Sequence, residues 1–195
     1  MEEMKIILAS KSPWRSELLE LMGLNFEVMP SEAEEDNNQK IKLYKLSEGL
    51  AYLKAKDVFD KTNGNRVVIG SDTLVCVGGK YLGKPTSREE AFDMLKSLSG
   101  RIHKVISSLS VLIEKDGQIK SYTTHDIAKV KFLKLSDETI NNYLNFGEYA
   151  DKAGAYAIQG RSGMFIKNIN DSFASVMGLP THLLFEILKK ENLMV

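Results

Sequence analysis

A single cysteine, Cys76, is all the thiol chemistry in this chain of 195 residues, so no internal disulfide can form. Cys76 falls in the apolar run Leu74 to Val77 and reads as a small buried hydrophobe in a reducing, intracellular setting. An excess of charge of one sign is missing too. Lys plus Arg number 26, as do Asp plus Glu, so no global field draws the chain to nucleic acid or to an anionic membrane. Any anion site must therefore be local. No apolar run approaches the length of a membrane span, and the few residues before the first apolar stretch are too short for the basic and apolar parts of a secretory signal. Cytoplasm is the expected compartment. The chain also lacks an internal repeat, a low-complexity linker, the phosphate loop G-x-x-x-x-G-K-S/T and the dinucleotide loop G-x-G-x-x-G. His103 and His125 have no second His or Cys at ligand spacing, which argues against zinc and leaves both as structural histidines.

What is present is an alternation of strand-like and helix-like apolar periods, the mark of an α/β protein. Strands are expected over Lys5–Ala9, Phe26–Pro30, Val67–Ser71, Leu74–Val77 (turning through Gly78-Gly79 to Tyr81), His103–Glu114, Ser121–Leu133 and Met164–Ile169. Helices are expected over Pro13–Met22, Ile41–Asp60, Ser87–Leu98, Asp137–Phe146 and Thr181–Lys190. The long runs on either side of Lys115-Asp116-Gly117 read as an antiparallel hairpin, which makes the sheet mixed and curved. The length suits one domain, 1–195, folded as two lobes.

The helix that opens LASKSPWRSELLELMG has an unusual first turn. Ser12 suits an N-cap, Pro13 the first helical position and Gly23 the terminus. Yet Lys11 and Arg15 stand where the macrodipole and unpaired N–H groups favour Asp or Glu. Ser87-Arg88-Glu89-Glu90 and Ser136-Asp137-Glu138 open two other helices with acids, so the cationic start is not a general habit of the chain. Serines, backbone N–H groups and cations following the apolar Ile6-Ile7-Leu8 make either a phosphate cradle or merely two solvated cations.

Further stretches are candidates for chemistry. In VVIGSDTLVCVGGKYLGKPTSREEA an apolar strand delivers Asp72 at its end and Lys84-Pro85 precedes a capped helix. Asp72 there either caps the turn Gly70-Ser71-Asp72 or supplies a carboxylate for a proton or a metal. Lys54 extends the apolar ridge of Leu46 and Leu50, and either snorkels at the core edge or adds a cation to a polyphosphate site with Arg15 and Lys84. The acidic segment Ser31–Gln39, with Glu32, Glu34, Glu35 and Asp36, is either a solvated loop or part of a site, since it follows a strand end, the usual ligand edge of open α/β sheets. DKAGAYAIQGRSG either merely forms turns or brings backbone close to a ligand through its small residues, with Gln159 able to read an amide-like base edge and Tyr156 to pack on something flat. VMGLP most economically ends one element and starts the last helix.

Taken in order, LASKSPWRSELL, GSDTLV, LGKP, LSGRIHKV, DKAGAYAIQG and VMGLP resemble the Maf family of nucleoside triphosphate pyrophosphatases over nearly the whole chain. The resemblance implies a curved mixed β-sheet with flanking helices, two lobes around a deep cleft, related to the inosine-triphosphate pyrophosphatases. It implies hydrolysis of the α–β phosphoanhydride of a nucleoside triphosphate with a divalent metal, Mg²⁺ or Mn²⁺. Ser10 and Arg15, with Lys11 and Ser12 beside them, correspond to the phosphate-binding start of S-x-S-P-R-R, Glu35 to the acid ending the loop after the second strand, and Lys54 to the lysine of a K-A pair. Asp72 corresponds to the proposed general base, Lys84 to the K-P lysine and Gln159 to a residue linked to base choice. Glu35 and Asp72 are the implied metal ligands, and which of them binds metal and which acts as base stays open.

Departures from the family pattern bear on specificity. Trp14 replaces the first arginine of S-P-R-R, and S-P-W-R resembles the subfamily acting on 7-methyl-GTP, where an aromatic can stack on a purine. Thr73, Gln159 and the DKAGAYAIQG run resemble the dTTP/UTP subfamily, and two positions against one favour pyrimidine nucleotides. Ser107-Ser108 stand where Thr-Gly is usual, and Asp171 where Gly is usual, which bears on local loop geometry. The resemblance further implies a homodimer. A nucleotide-binding regulator of septum formation is the competing class; retention of Glu35, Asp72, Lys54 and Lys84 together favours an enzyme, since binding alone does not require acids paired with cations.

Overall fold

A computed structural model describes residues 4–35 and 41–194. Asp36 and the rest of the acidic segment through Gln39 lie outside the described residues. The strands are β1 (Lys5–Leu8), β2 (Glu27–Val28), β3 (Arg66–Val77), β4 (Lys80–Leu82), β5 (Ile102–Lys115), β6 (Gln118–Phe132) and β7 (Ile166–Asn170). The helices are α1 (Pro13–Leu21), α2 (Leu43–Lys61), α3 (Arg88–Leu98), α4 (Asp137–Leu144), α5 (Phe173–Met177) and α6 (Thr181–Lys190), with 3₁₀ turns at Ala153–Ala155 and Arg161–Phe165. The sheet is seven-stranded in the order β2-β1-β3-β5-β6-β7, with β4 on β3. It is mixed as expected: β1 is parallel to β2 and β3, while β4 is antiparallel to β3 and β7 to β6. No helix among the described residues is long and apolar enough to cross a membrane.

The chain divides into two compact units. Unit 1 comprises residues 1–72, 107–126 and 178–195. Its apolar core joins Ile7 of β1 and Ala9 just beyond it, Ala55, Val58 and Phe59 of α2, Val68 of β3 and Leu112 of β5. Arg66, 4 % exposed, staples this core: its guanidinium lies 4.0 Å from the centre of the Phe59 ring, donates to the Phe59 carbonyl and pairs with Glu114. At the hairpin tip Asp116 and Gly117 both take positive φ, 52° and 76°, the turn that lets two neighbouring strands reverse tightly.

Unit 2 comprises residues 73–106 and 127–177. Its core is larger, with Leu95 and Leu98 of α3, Ile140 and Tyr143 of α4, and Val105, Val130 and Phe132 of the sheet. His103 is buried there, edge-on to Phe132 and Tyr156, with Nε2 2.7 Å from the Tyr156 hydroxyl. The capping expected for α3 and α4 is present, Ser87 accepting from the Glu90 N–H and Ser136 from the Thr139 N–H.

Several expectations are revised. Val67–Ser71 and Leu74–Val77 form one uninterrupted strand, β3, so Asp72 sits inside a strand and caps no turn. Of the strand expected at Met164–Ile169, Met164 and Phe165 end a 3₁₀ turn and β7 begins only at Ile166. The strand at Phe26–Pro30 shrinks to two residues. Tyr156, expected in a ligand-facing loop, is 6 % exposed and part of the aromatic core of unit 2. Asp171 holds φ at 92°, where the glycine it replaces costs nothing, and its Oδ1 accepts from the Ser172 N–H, the local bond that lets Asp tolerate this region.

Candidate active site

The site in unit 1 grows from three parallel strands. β1 lies between β2 and β3, with Leu8 in register with Val28 on one side and Ile69 on the other. The chain leaves β1 toward β2 through α1, and returns past β1 to β3 through α2. The carboxyl end of β1 is thus where successive connections diverge, the position at which open α/β sheets bind ligands. Ser10 follows β1, Glu35 follows β2, and Asp72 stands three residues beyond the level of Leu8 on β3.

At the end of β1 the Ser10 hydroxyl accepts from Arg15 Nη1 at 2.9 Å and from the Ser12 N–H at 3.2 Å. Arg15 Nε donates to the Gly178 carbonyl at 2.9 Å. Burial lowers the Arg15 pKa from its ordinary value, and the charges of Asp72 and Glu35 oppose that shift. All three are therefore within electrostatic reach of one another. Ser12 occupies the N-cap position, but its side chain makes no capping bond. First-turn acids are missing from α2 and α6 as well as α1, so their absence alone is less telling than α3 and α4 suggest. What sets α1 apart is the serine that holds its arginine. Lys11 is exposed beside it, and Trp14 is half-buried with its indole Nε1 buried and unpartnered among the described residues.

The second cluster joins α2 to β3. Lys54 Nζ lies 2.7 Å from Asp72 Oδ1 and 3.0 Å from Glu35 Oε1, so the lysine is no idle snorkeller but a bridge between two carboxylates. Leu46 and Leu50, one and two turns before it, are buried as the ridge predicts. The approach of helix to strand depends on Gly70: a Cβ there would stand 2.3 Å from the Ala51 carbonyl oxygen and 2.7 Å from the Ala55 nitrogen. Ser47, fully buried one turn earlier, donates to the Asp72 carbonyl at 3.2 Å. The segment after β2 is docked as well. Asp57 of α2 accepts from the Ser31 hydroxyl and the Glu32 N–H, both at 2.9 Å, and so holds the approach to Glu35 against the helix.

The residues assigned to one site from the sequence thus divide between the units. Ser10, Ser12, Arg15, Glu35, Lys54 and Asp72 come together in unit 1. Thr73, Lys84 and Gln159 belong to unit 2, Lys84 exposed after β4, Thr73 half-buried in β3 and Gln159 half-buried after the first 3₁₀ turn. Two groups in unit 1 escaped sequence reasoning. The Ser71 hydroxyl lies 2.8 Å from both the Gly178 and Ser108 carbonyls, and the Gly178 carbonyl also receives Arg15. Ser71 and Gly178 are 107 positions apart, a contact no local pattern encodes.

A divalent cation fits this donor set on one specific ground. Asp72 is 6 % exposed, and its Oδ2 is buried with no hydrogen-bond partner among the described residues, a cost that an unpaired buried acceptor carries until something binds it. Carboxylate oxygens suit Mg²⁺ or Mn²⁺. The described residues contain no group of three or more His, Cys, Asp or Glu able to hold a metal, so Glu35 and Asp72 would leave most positions to water and phosphate, the usual habit of Mg²⁺.

A parallel-stranded edge that gathers two cations and two carboxylates defines a class of phosphate-handling α/β proteins, and comparison gives the class its family. A family model described as Maf-like protein matches residues 5–191, and the chain belongs to this family. It is 45% identical over 188 residues to a dTTP/UTP pyrophosphatase of Thermoanaerobacter sp. (strain X514), covering 96% of this chain and 97% of the relative. It is 44% identical over 191 residues to a dTTP/UTP pyrophosphatase of Aquifex aeolicus (strain VF5), covering 98% and 97%. Among solved structures, a HAM1 protein from Coxiella burnetii has the same fold at TM-score 0.52 and 14% identity, covering 96% of this chain and 100% of that one.

Proposed function

We propose that this chain hydrolyses the α–β phosphoanhydride of dTTP- and UTP-like nucleotides, giving the monophosphate and pyrophosphate. The observation that carries the reading is Lys54 between Glu35 and Asp72, with Arg15 held beside them by Ser10. Asp72 Oδ1 is committed to Lys54, which leaves the buried Oδ2 as the oxygen that takes a proton from water. The water oxygen bonds to the α-phosphorus, the bond from that phosphorus to the bridging oxygen breaks, and pyrophosphate leaves. Arg15 and Lys54 offset the charge on the departing phosphates, and Ser10, Lys11 and Ser12 bind phosphate through hydroxyl, ammonium and backbone N–H groups. With Asp72 as base, Glu35 would hold Mg²⁺ or Mn²⁺ beside it, which when bound polarises phosphoryl oxygens and neutralises their charge.

The pyrimidine preference rests on Thr73 and Gln159 and on relatives at 40–45% identity that bear the dTTP/UTP name. Assaying pyrophosphate release across nucleoside triphosphates, 7-methyl-GTP included, tests it. Fastest turnover of dTTP and UTP is expected. Preference for 7-methyl-GTP would transfer base choice to Trp14, and binding without turnover on any nucleotide would favour a regulator. Asp72→Asn is expected to fold and to lose at least ~10²-fold in turnover, the scale of a positioned base. Near-normal turnover would remove Asp72 from the role. A homodimer in a cytoplasmic setting completes the proposal, and sedimentation across protein concentrations checks the dimer.

A further inference from the structure

Resting on that reading, we infer that Lys54 sets the order in which the site takes its ligands: its ammonium is the counter-ion of Glu35 and Asp72 until a triphosphate arrives, so the divalent cation enters with the nucleotide and not ahead of it. The geometry is specific. One ammonium reaches both carboxylates, at 2.7 and 3.0 Å, from a side chain only 14% exposed. Arg15 does not replace it, since its guanidinium is tied to Ser10 and Gly178. A dication placed against Glu35 and Asp72 meets this fixed positive charge at close range, in surroundings that screen it poorly. It also finds only two carboxylates among the described residues, fewer protein donors than a preformed cage needs.

A triphosphate reverses both terms. Its oxygens supply the missing ligands, and its negative charge gives the ammonium a second place to bond. Asp72 Oδ2 is the atom that makes the site more than a surface acid pair, because it is already buried and unpartnered among the described residues. In this scheme Lys54 serves twice, first as a barrier to metal and then as a cation on phosphate.

The test is Mn²⁺ binding to the full chain without nucleotide, followed by electron paramagnetic resonance. Lys54→Met and Lys54→Gln should bind Mn²⁺ at least tenfold more tightly than the unsubstituted chain, and Lys54→Arg, which keeps the charge, should not. Adding Glu35→Gln to Lys54→Met should remove the gain. Unchanged affinity in either neutral variant, with circular dichroism showing it folded, overturns the inference, as does equally tight binding by Lys54→Arg. If neither neutral variant folds, the unsubstituted chain decides: stoichiometric Mn²⁺ uptake at micromolar protein without nucleotide overturns the inference, and weak uptake supports it. Pyrophosphate release by the unsubstituted chain separates the two failures. Turnover with nucleotide-free metal loading sinks only the ordering, whereas no turnover on any triphosphate sinks the proposed reaction.

Discussion

His103 shows how a single residue in unit 2 ties stability to pH without touching chemistry. Burial among Phe132 and Tyr156 drives its pKa from 6.5 down to about 4, so the folded chain holds it neutral. The unfolded chain takes up the proton first as pH falls. Stability from this group is therefore complete above about pH 6.5 and is lost between there and about pH 4, an effect on the order of 3 kcal/mol. Urea unfolding across that window should show the decline, and His103→Gln should flatten it whatever its own stability. His125 is structural in another way, its Nδ1 2.7 Å from Glu48 and its ring stacked on Tyr44. Cys76 is buried, which raises its thiol pKa to about 11 and leaves it chemically quiet.

At the scale of elements, α2 does most to build the site. It carries Lys54, braces Asp72 through Ser47 and docks the Glu35 segment through Asp57. Everything depends on its contact with β3 at Gly70, where backbone meets backbone. Gly70→Ala would force the helix away, and should lower stability by roughly 2 kcal/mol and turnover along with it, because the Lys54 ammonium would no longer reach both carboxylates. Gly49→Ala in the same helix is the matched control. A Cβ there meets nothing within 4 Å, so the change should raise stability by about 0.5–1 kcal/mol and leave turnover unaltered. Thermal melts and pyrophosphate assays on the pair separate helix placement from helix propensity.

For the molecule as a whole, β3, β5 and β6 each run from one unit into the other, while each unit keeps its own apolar core. A triphosphate that binds only the folded chain must raise its melting temperature. With Mg²⁺ and a UTP analogue that resists cleavage between the α- and β-phosphates, present at about one hundred times its dissociation constant, the gain should be near 2.7 kcal/mol. That corresponds to a shift of about 5–10 °C for a chain of this size. Scanning calorimetry with the analogue, and with Mg²⁺ alone as control, measures it. Stabilisation equal to that of Mg²⁺ alone would mean the nucleotide does not bind.

Much of this was written locally. The alternation of apolar periods, the caps at Ser87 and Ser136, Gly23 at φ 73° and the Asp116-Gly117 turn all follow from side chains acting on their own backbone within a few positions. The ordered motifs likewise singled out the residues on which the proposed chemistry rests. Three matters were beyond such reach. An Asp flanked by Ser and Thr looks like the end of a strand, yet β3 continues through it because its neighbours in the sheet supply the hydrogen bonds that local propensity cannot. Lys54 on an apolar ridge has the same pattern whether it meets solvent or an acid, and only the packing of α2 on Gly70 brings Asp72, eighteen positions away, to its ammonium. Ser71 and Gly178 look like turn residues until β3 and the start of α6 place one carbonyl between a hydroxyl and a guanidinium. Residue type and spacing determined which groups this protein has; the close approach of helix to strand decided which of them meet, since a hydrogen bond is set by distance in space and not by distance along the chain.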